Sequence, residues 1–406
     1  MKSQYCVIVV GAGASGFFAA LNAKQMHPHA KVAIIEKNAA ILSKVKVSGG
    51  GRCNTTHACF EPKQLVKNYP RGQRELLGPF YVFQPQDTID WFEARGVNLK
   101  TESDGRMFPT TDKSETIINC LVDEAKKIGV ELLTKQKIVS INKNDSGFDL
   151  VIKEKGNIYC DKLILATGSA QDGYKWAREL GHSIITPLPS LFTFNVPKSP
   201  LADLSGVAFE NVTVSIKGSS YKQTGPLLIT HFGFSGPAVL KLSAWAARLL
   251  HEKKYSFDVV INWLPHQSQG ATVEQLSTLK RDAANKNLIS ENVFKLPKSF
   301  WKKILTYYEI DEKRLNDLTS KDLNRLAEKL HTDVYQVSGK TTNKEEFVTC
   351  GGVALKEVDF KAMESKLCPN LFFCGEILDI DGITGGFNFQ NAWTTGYIAG
   401  TSIELK

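Results

Sequence analysis

No two of the eight cysteines (Cys6, Cys53, Cys59, Cys120, Cys160, Cys350, Cys368, Cys374) stand at C-x-x-C spacing. That removes a zinc ribbon and a dithiol redox centre and leaves reduced core thiols of a cytosolic protein as the expectation. A membrane-spanning run is missing as well, since one needs about 20 apolar residues. The nearest approach, Cys6–Leu21, is broken by Gly11, Gly13 and Gly16, so it reads as neither a signal peptide nor an anchor. Strong charge of one sign is also lacking. Fifty Lys and Arg face 42 Asp and Glu, a formal net charge of +8 over 406 residues, well short of a protein that coats nucleic acid. Nucleic acid is therefore set aside as a partner, in favour of a small molecule. What remains is an ordinary globular composition, 42% hydrophobic, with length enough for two or three lobes.

The chain opens on a solid apolar strand, Tyr5–Val10, a glycine turn, a helix over Ala14–Met26 and a second strand, Lys31–Glu36. Two apolar strands around a helix predict a parallel sheet covered on both faces. From Ser48 to about Gly78 no period holds, and the segment reads as long loops. Helices are expected over Gln86–Arg95 and Ser114–Ile128, a meander over Lys137–Asn142 and Phe148–Lys153, and a strand over Lys162–Ala166. Short alternating runs then suggest a β-rich insertion, and charged 3.6-period segments after Thr272 suggest a helical one. The strand and glycine texture of the start returns after Val334. The expected fold is α/β, a Rossmann-like domain split in sequence (1–188 and 335–406) around a barrel-like β unit (189–266) and a helical unit (267–334).

The first motif is Gly11-Ala12-Gly13-Ala14-Ser15-Gly16, a G-x-G-x-x-G between strand and helix. Gly11 permits the tight turn, Gly13 lets backbone approach a pyrophosphate, and Gly16 lets helix and strand pack closely. The helix N-terminus presents N–H groups and the positive dipole end to phosphates. Glu36, at the end of the second strand, stands where a carboxylate accepts hydrogen bonds from a ribose diol. These residues fit NAD and FAD alike. A second apolar strand ends in Ala166-Thr167-Gly168, and a third, Leu371–Cys374, ends in Gly375-Glu376 with Asp379 beyond. Such an end suits the hydroxyls of a ribityl chain. The closing helix follows Gly385-Gly386-Phe387-Asn388, and its N-terminus suits the negative edge of a reduced flavin. Between these, Ser48-Gly49-Gly50-Gly51-Arg52-Cys53-Asn54 offers a row of N–H groups and a guanidinium. Cys53, with no partner thiol nearby, reads as packing.

Taken together these segments resemble flavoproteins of the two-dinucleotide-binding-domain type. More narrowly, the Gly-Gly-Gly-Arg-Cys-Asn run, Gly105–Pro109, Thr224–Leu228, Thr230–Pro237, Thr349–Val353 and Gly385–Gln390 are similar to a bacterial FAD-dependent family whose members include aminoacetone oxidases and bile-acid 3-dehydro reductases. The resemblance implies non-covalent FAD. On it, cofactor contacts are expected at Gly11, Gly13, Ala14, Ser15, Gly16, Glu36, Lys37, Lys44, Gly50, Gly51, Arg52, Cys53, Asn54, Ile138, Ala166, Thr167, Gly168, Gly375, Glu376, Asp379, Gly385, Gly386, Phe387 and Asn388.

The expected function is a cytosolic FAD-dependent oxidoreductase in which flavin N5 exchanges a hydride with a small organic substrate beside the inserted unit. His231 and Ser235 are candidates to face the ring, whereas His27 and His29, flanking Pro28, read as exposed rather than metal ligands. No side chain stands out as a dedicated acid or base. A second G-x-G-x-x-G is absent, so NAD(P)H, if it is the donor, docks transiently. The rival readings are a flavoprotein acting on tRNA, with Lys302, Lys303, Tyr307 and Tyr308 as its basic-aromatic patch, and a redox sensor without turnover.

Overall fold

In the computed structural model, which describes residues 3–341 and 348–405, the opening strand β1 (Ser3–Val10) lies in the middle of a sheet. Val7, Ile8 and Val9 are fully buried, as both faces of such a strand must be when helices cover them. The helix α1 (Ala14–Met26) leads to β2 (Val32–Ile35). Three more strands join in parallel: β3 (Glu131–Leu133) beside β2, β4 (Gly156–Leu165) on the other side of β1, and β5 (Leu371–Phe373) beside β4. Read across the sheet the order is 3-2-1-4-5, and β1 and β4 flank the point where the chain's winding reverses. Ligands of open α/β sheets bind outside the strand ends at such a point. The antiparallel meander Ile138–Lys143 and Phe148–Ile152 adds to the first half of β4.

The helix α2 (Phe387–Thr401) packs along α1 through small residues. A Cβ on Gly396 would stand 2.7 Å from the Ser15 carbonyl oxygen, and one on Gly400 would collide with that of Ala19. The split α/β domain expected from the sequence is therefore present, with its fifth strand and second packing helix drawn from the far end of the chain. The stretch read as long loops contains a helix, Gln73–Val82, which buries Leu76 and Phe80. Gly78-Pro79 masked its period, since that pair ordinarily marks a break.

The chain divides into two units, Met1–Pro189 with Lys344–Lys406, and Ser190–Asn343. The second holds an antiparallel sheet in which Ala208–Ile216 pairs with Lys222–Thr230 on one side and Ser256–Asn262 on the other. Beyond Ser256–Asn262 lies Asp333–Ser338. The boundary expected at 334/335 thus falls inside one strand of the inserted sheet. Three amphipathic helices, Gln269–Asp282, Lys298–Tyr307 and Ser320–His331, pack Leu276, Phe300 and Leu326 into the same core as Phe209, Val259 and Ile261. The β-rich and helical stretches, separate in the sequence reading, share one core. Both outer helices are capped by side chains, Ser268 accepting from the Ala271 N–H and Thr319 pairing reciprocally with Asp322.

Candidate cofactor and active site

The glycine turn has the geometry its spacing implies. Gly11 has φ +110°, and a Cβ there would stand 2.5 Å from the Ala166 carbonyl oxygen; a Cβ on Gly16 would strike the carbonyl oxygen of Gly11. Gly13 differs, because a Cβ there meets no atom within 4 Å. Two glycines therefore serve packing and one faces open space at the helix N-terminus, where the first N–H groups have no intrahelical partner. Glu36 reaches back into this turn, accepting from the N–H groups of Ala12 (3.1 Å) and Asn38 (2.9 Å). The N–H of Gln136 bonds the Glu36 carbonyl oxygen, which brings Ile138, buried at the start of its strand, close to the same strand end.

The ends of β4 and β5 meet α1 here. Gly375, with φ +75°, lies against the Ser15 side chain, and the Ser15 hydroxyl donates to the Cys374 carbonyl (3.3 Å). The Gly375 N–H in turn donates to Thr395 of α2 (2.9 Å). Glu376 pairs with Lys44, accepts from the Thr349 N–H (3.0 Å), and stands near Gly168. Asp379 accepts from the Gly351 N–H (2.8 Å). Lys37 forms an exposed ion pair with Asp172 at 3.0 Å. Three buried oxygens around this strand end, Thr167 Oγ1, Tyr174 Oη and Thr349 Oγ1, find no hydrogen-bond partner among the described residues, which in a native fold calls for a ligand or water.

A second cluster gathers the triple glycine and the closing turn. Backbone at Gly49 and Gly50 is left-handed (φ +59° and +68°), so the helix Ser43–Gly51 turns sharply after Ser48. A Cβ on Gly50 or Gly51 would meet nothing within 4 Å. The Asn54 amide spans Thr56 and the Gly386 N–H at 3.1 and 3.0 Å, and His57 stacks on Phe387 (centroids 4.6 Å apart). Asn388 closes the turn by bonding both backbone groups of Gly382. Arg52 lies over the Phe108 ring and pairs with Glu102 at 2.6 Å, a bond that raises the guanidinium's pKa. Cys53 is wholly buried, and burial pushes its thiol up to about 11. Only its backbone is available to a ligand. Native protein at pH 8 is accordingly expected to leave Cys53 unmodified by iodoacetamide, with labelling after denaturation; modification of the native thiol, read by peptide mass, would contradict the packing role.

The sequence reading did not anticipate a buried chain that fixes α2. Thr56 and Thr88 both donate to Gln390, which donates to Thr394, which donates to the Phe83 carbonyl. Gln390 closes the Gly385–Gln390 segment, but Thr56, Thr88 and Thr394 belong to no motif, so nothing in the sequence joined the four. His231 and the strongly exposed Phe232 form a hairpin tip in the second unit, while Ser235 pairs across the strand with Leu228. His27 is half-buried and bonds the Ile403 carbonyl (2.7 Å) rather than standing in solvent; His29 is exposed.

A dinucleotide fits what is present. Open space lies over Gly13, Gly50 and Gly51, an acid sits at the end of β2, and unpartnered oxygens collect where β4 and β5 end. The fold and site define a flavoprotein oxidoreductase of the Rossmann type. The chain belongs to the HI0933-like family, whose Rossmann domain matches residues 5–402, and by that membership it is an FAD-dependent enzyme. It is 30% identical to a ribosomal RNA dihydrouridine synthase of Escherichia coli, over 97% of this chain and 96% of that protein. A ribosomal RNA dihydrouridine synthase of Haemophilus influenzae is 28% identical over the whole of both chains. A 3-dehydro-bile acid delta(4,6)-reductase of Clostridium scindens is 28% identical over 97% of each. These relatives correct one expectation. Two of them are named for ribosomal RNA, so a modest overall charge was no ground for setting nucleic acid aside. The average conceals an uneven distribution: residues 190–343 hold 20 Lys and Arg against 14 Asp and Glu, six of the eight net positive charges. Among the described residues no helix is long and apolar enough to cross a membrane.

Proposed function

We propose that this protein reduces the C5–C6 double bond of a uracil in ribosomal RNA, using FAD. The observation that carries the reading is likeness over nearly the full chain to two ribosomal RNA dihydrouridine synthases. The chemistry of the third relative points the same way. A 3-keto group with double bonds at positions 4 and 6 is a conjugated dienone, and uracil C5–C6 is likewise conjugated to the C4 carbonyl. In both, a hydride adds to the carbon distant from the carbonyl and a proton to the nearer one. Bound, reduced FAD supplies that hydride.

The chain's own residues bind, orient and shield. Gly11, Gly13, Ala14, Ser15 and Gly16 with the α1 N-terminus would take the pyrophosphate, and Glu36 the ribose, with Lys37 and Ile138 beside it. Ala166, Thr167, Gly168, Gly375, Glu376 and Asp379 would take the ribityl chain, with Lys44 holding Glu376 in place. Gly50–Asn54 and Gly385–Asn388 would lie along the ring, where the positive dipole end of α2 favours negative charge. Transient NAD(P)H is proposed as electron source, because the chain has a single G-x-G-x-x-G.

A gene deletion tests the reading. Nucleosides from ribosomal RNA of the deletion strain are expected to lose one dihydrouridine, and purified protein with FAD and NADPH is expected to restore it. Unchanged dihydrouridine would refute the reading. Reduction of a small conjugated ketone in place of RNA would shift it to the second reading, for which the bile-acid reductase is the observation.

A further inference from the structure

The second unit has an open groove of about 500 Å³ that shares no residue with the cofactor site. It falls in the size range of small-ligand sites. Its floor is aromatic: Phe209 and Trp263 pack at 4.5 Å between ring centroids, and Phe294, half-buried, forms part of the wall. Its polar groups are amides, an imidazole and one carboxylate, that of exposed Glu210. Asn211 bonds His266 at 2.8 Å, and the Asn211 oxygen finds no partner among the described residues; His266 and Gln275 are exposed. The lip is cationic. Lys295 stands on it, and Lys298 and Lys302 follow one turn apart on a single face of the helix Lys298–Tyr307 that leads away. All three are exposed and make no ion pair among the described residues, whereas neighbouring Lys303 is held by Asp203.

An amide-lined aromatic slot that holds one carboxylate, Glu210, and carries a row of ammonium groups along its edge matches one chemistry closely. An unpaired nucleotide has a flat base with hydrogen-bonding edges and a charged backbone beside it, and proteins read such bases by stacking and by their edges. We propose that this groove seats an unpaired base of the RNA substrate while Lys295, Lys298 and Lys302 track the adjoining phosphates. The proposal rests on the RNA reading and adds to it a second anchoring point, remote from the flavin loop residues in sequence.

The test uses the full-length flavoprotein and fluorescence anisotropy with two probes, a labelled oligouridylate and a fully paired RNA hairpin, over a range of salt. The wild type is expected to bind the single strand more tightly than the hairpin. Combined K295Q, K298Q and K302Q should weaken binding at least about ten-fold and lower the slope of log K against log salt by about 2, at roughly 0.7 for each phosphate left without its ammonium. Combined H266A and Q275A should weaken binding several-fold with the slope unchanged, because neutral groups release no counterions. All five positions are exposed, and an unchanged melting curve and flavin spectrum will show that the variants fold. If wild type binds RNA and both variants match it, the groove is refuted while the RNA reading stands. Equal affinity for the hairpin refutes base seating. If the wild type shows no salt-dependent binding, the RNA reading fails and takes the groove with it.

Discussion

Gly16→Ala is expected to yield a protein that is both unstable and colourless, whereas Gly13→Ala is expected to be nearly as stable as wild type yet poor in flavin. The contrast comes from what each new methyl group meets. At Gly16 it would strike the Gly11 carbonyl oxygen, with the Ala166 side chain at 3.3 Å behind. Neither can yield without moving α1 off the tip of β1, so a loss of roughly 3 kcal/mol or more is expected, in the range reserved for core overpacking and broken backbone geometry. At Gly13 the methyl group enters open space, and φ −90°, ψ −173° is a conformation that alanine adopts freely. Folding should change by no more than about 1 kcal/mol, the scale of an N-cap substitution. Flavin affinity should fall at least about ten-fold, or ~1.4 kcal/mol, because the methyl group fills the space backbone needs to reach a pyrophosphate. Denaturant titration of the apoproteins and flavin titration separate the two quantities. A Gly13→Ala protein that binds FAD as tightly as wild type would move the pyrophosphate elsewhere.

Asp381→Ala should cost about 3–5 kcal/mol, the penalty for leaving one half of a buried ion pair without its partner. Asp381 is fully buried and Arg71, nearly so, reaches it with a two-pronged contact. The pair anchors the loop that runs into Gly385-Gly386 and α2. That loop is also held by Ile383 to the Asn68 carbonyl and by the Tyr69 hydroxyl to the Phe387 carbonyl (2.6 Å). Loss of the carboxylate should therefore weaken flavin retention as well as stability. Replacing both partners with apolar residues of similar volume should recover much of the stability, since the desolvation of two charges is then avoided. Urea unfolding of the single and double variants measures this. A loss below about 1 kcal/mol for Asp381→Ala would show the pair to be solvated.

The parts legible in the sequence are those where backbone chemistry demands one residue type. The G-x-G-x-x-G turn, the helix stop at Gly129 (φ +80°) and the buried strands around β1 follow from steric and burial rules that act locally. Convergence of Ser15 with Gly375 joins positions remote in sequence, and it was the recurrence of strand and glycine texture together with the resemblance to FAD proteins that pointed to it. Illegible parts depend on partners. Thr56, Thr88, Gln390 and Thr394 form one hydrogen-bonded chain, and none of them is unusual alone. Asp333–Ser338 completes a sheet begun before the helices, a pairing no local pattern encodes. The expectation that nucleic acid is not a partner failed for a different reason. Net charge was averaged over a chain whose positive excess lies mostly in residues 190–343, and association depends on where charge sits.

The most direct measurement of the central claim is anaerobic. Protein whose flavin has been reduced with dithionite is mixed with ribosomal RNA from a strain lacking the gene. The account predicts that the yellow absorbance returns and that one uridine gains two hydrogens in matching amount, with RNA from the parent strain inert. Flavin that stays bleached in the presence of the unmodified RNA, yet is reoxidised by a small conjugated ketone, would contradict it.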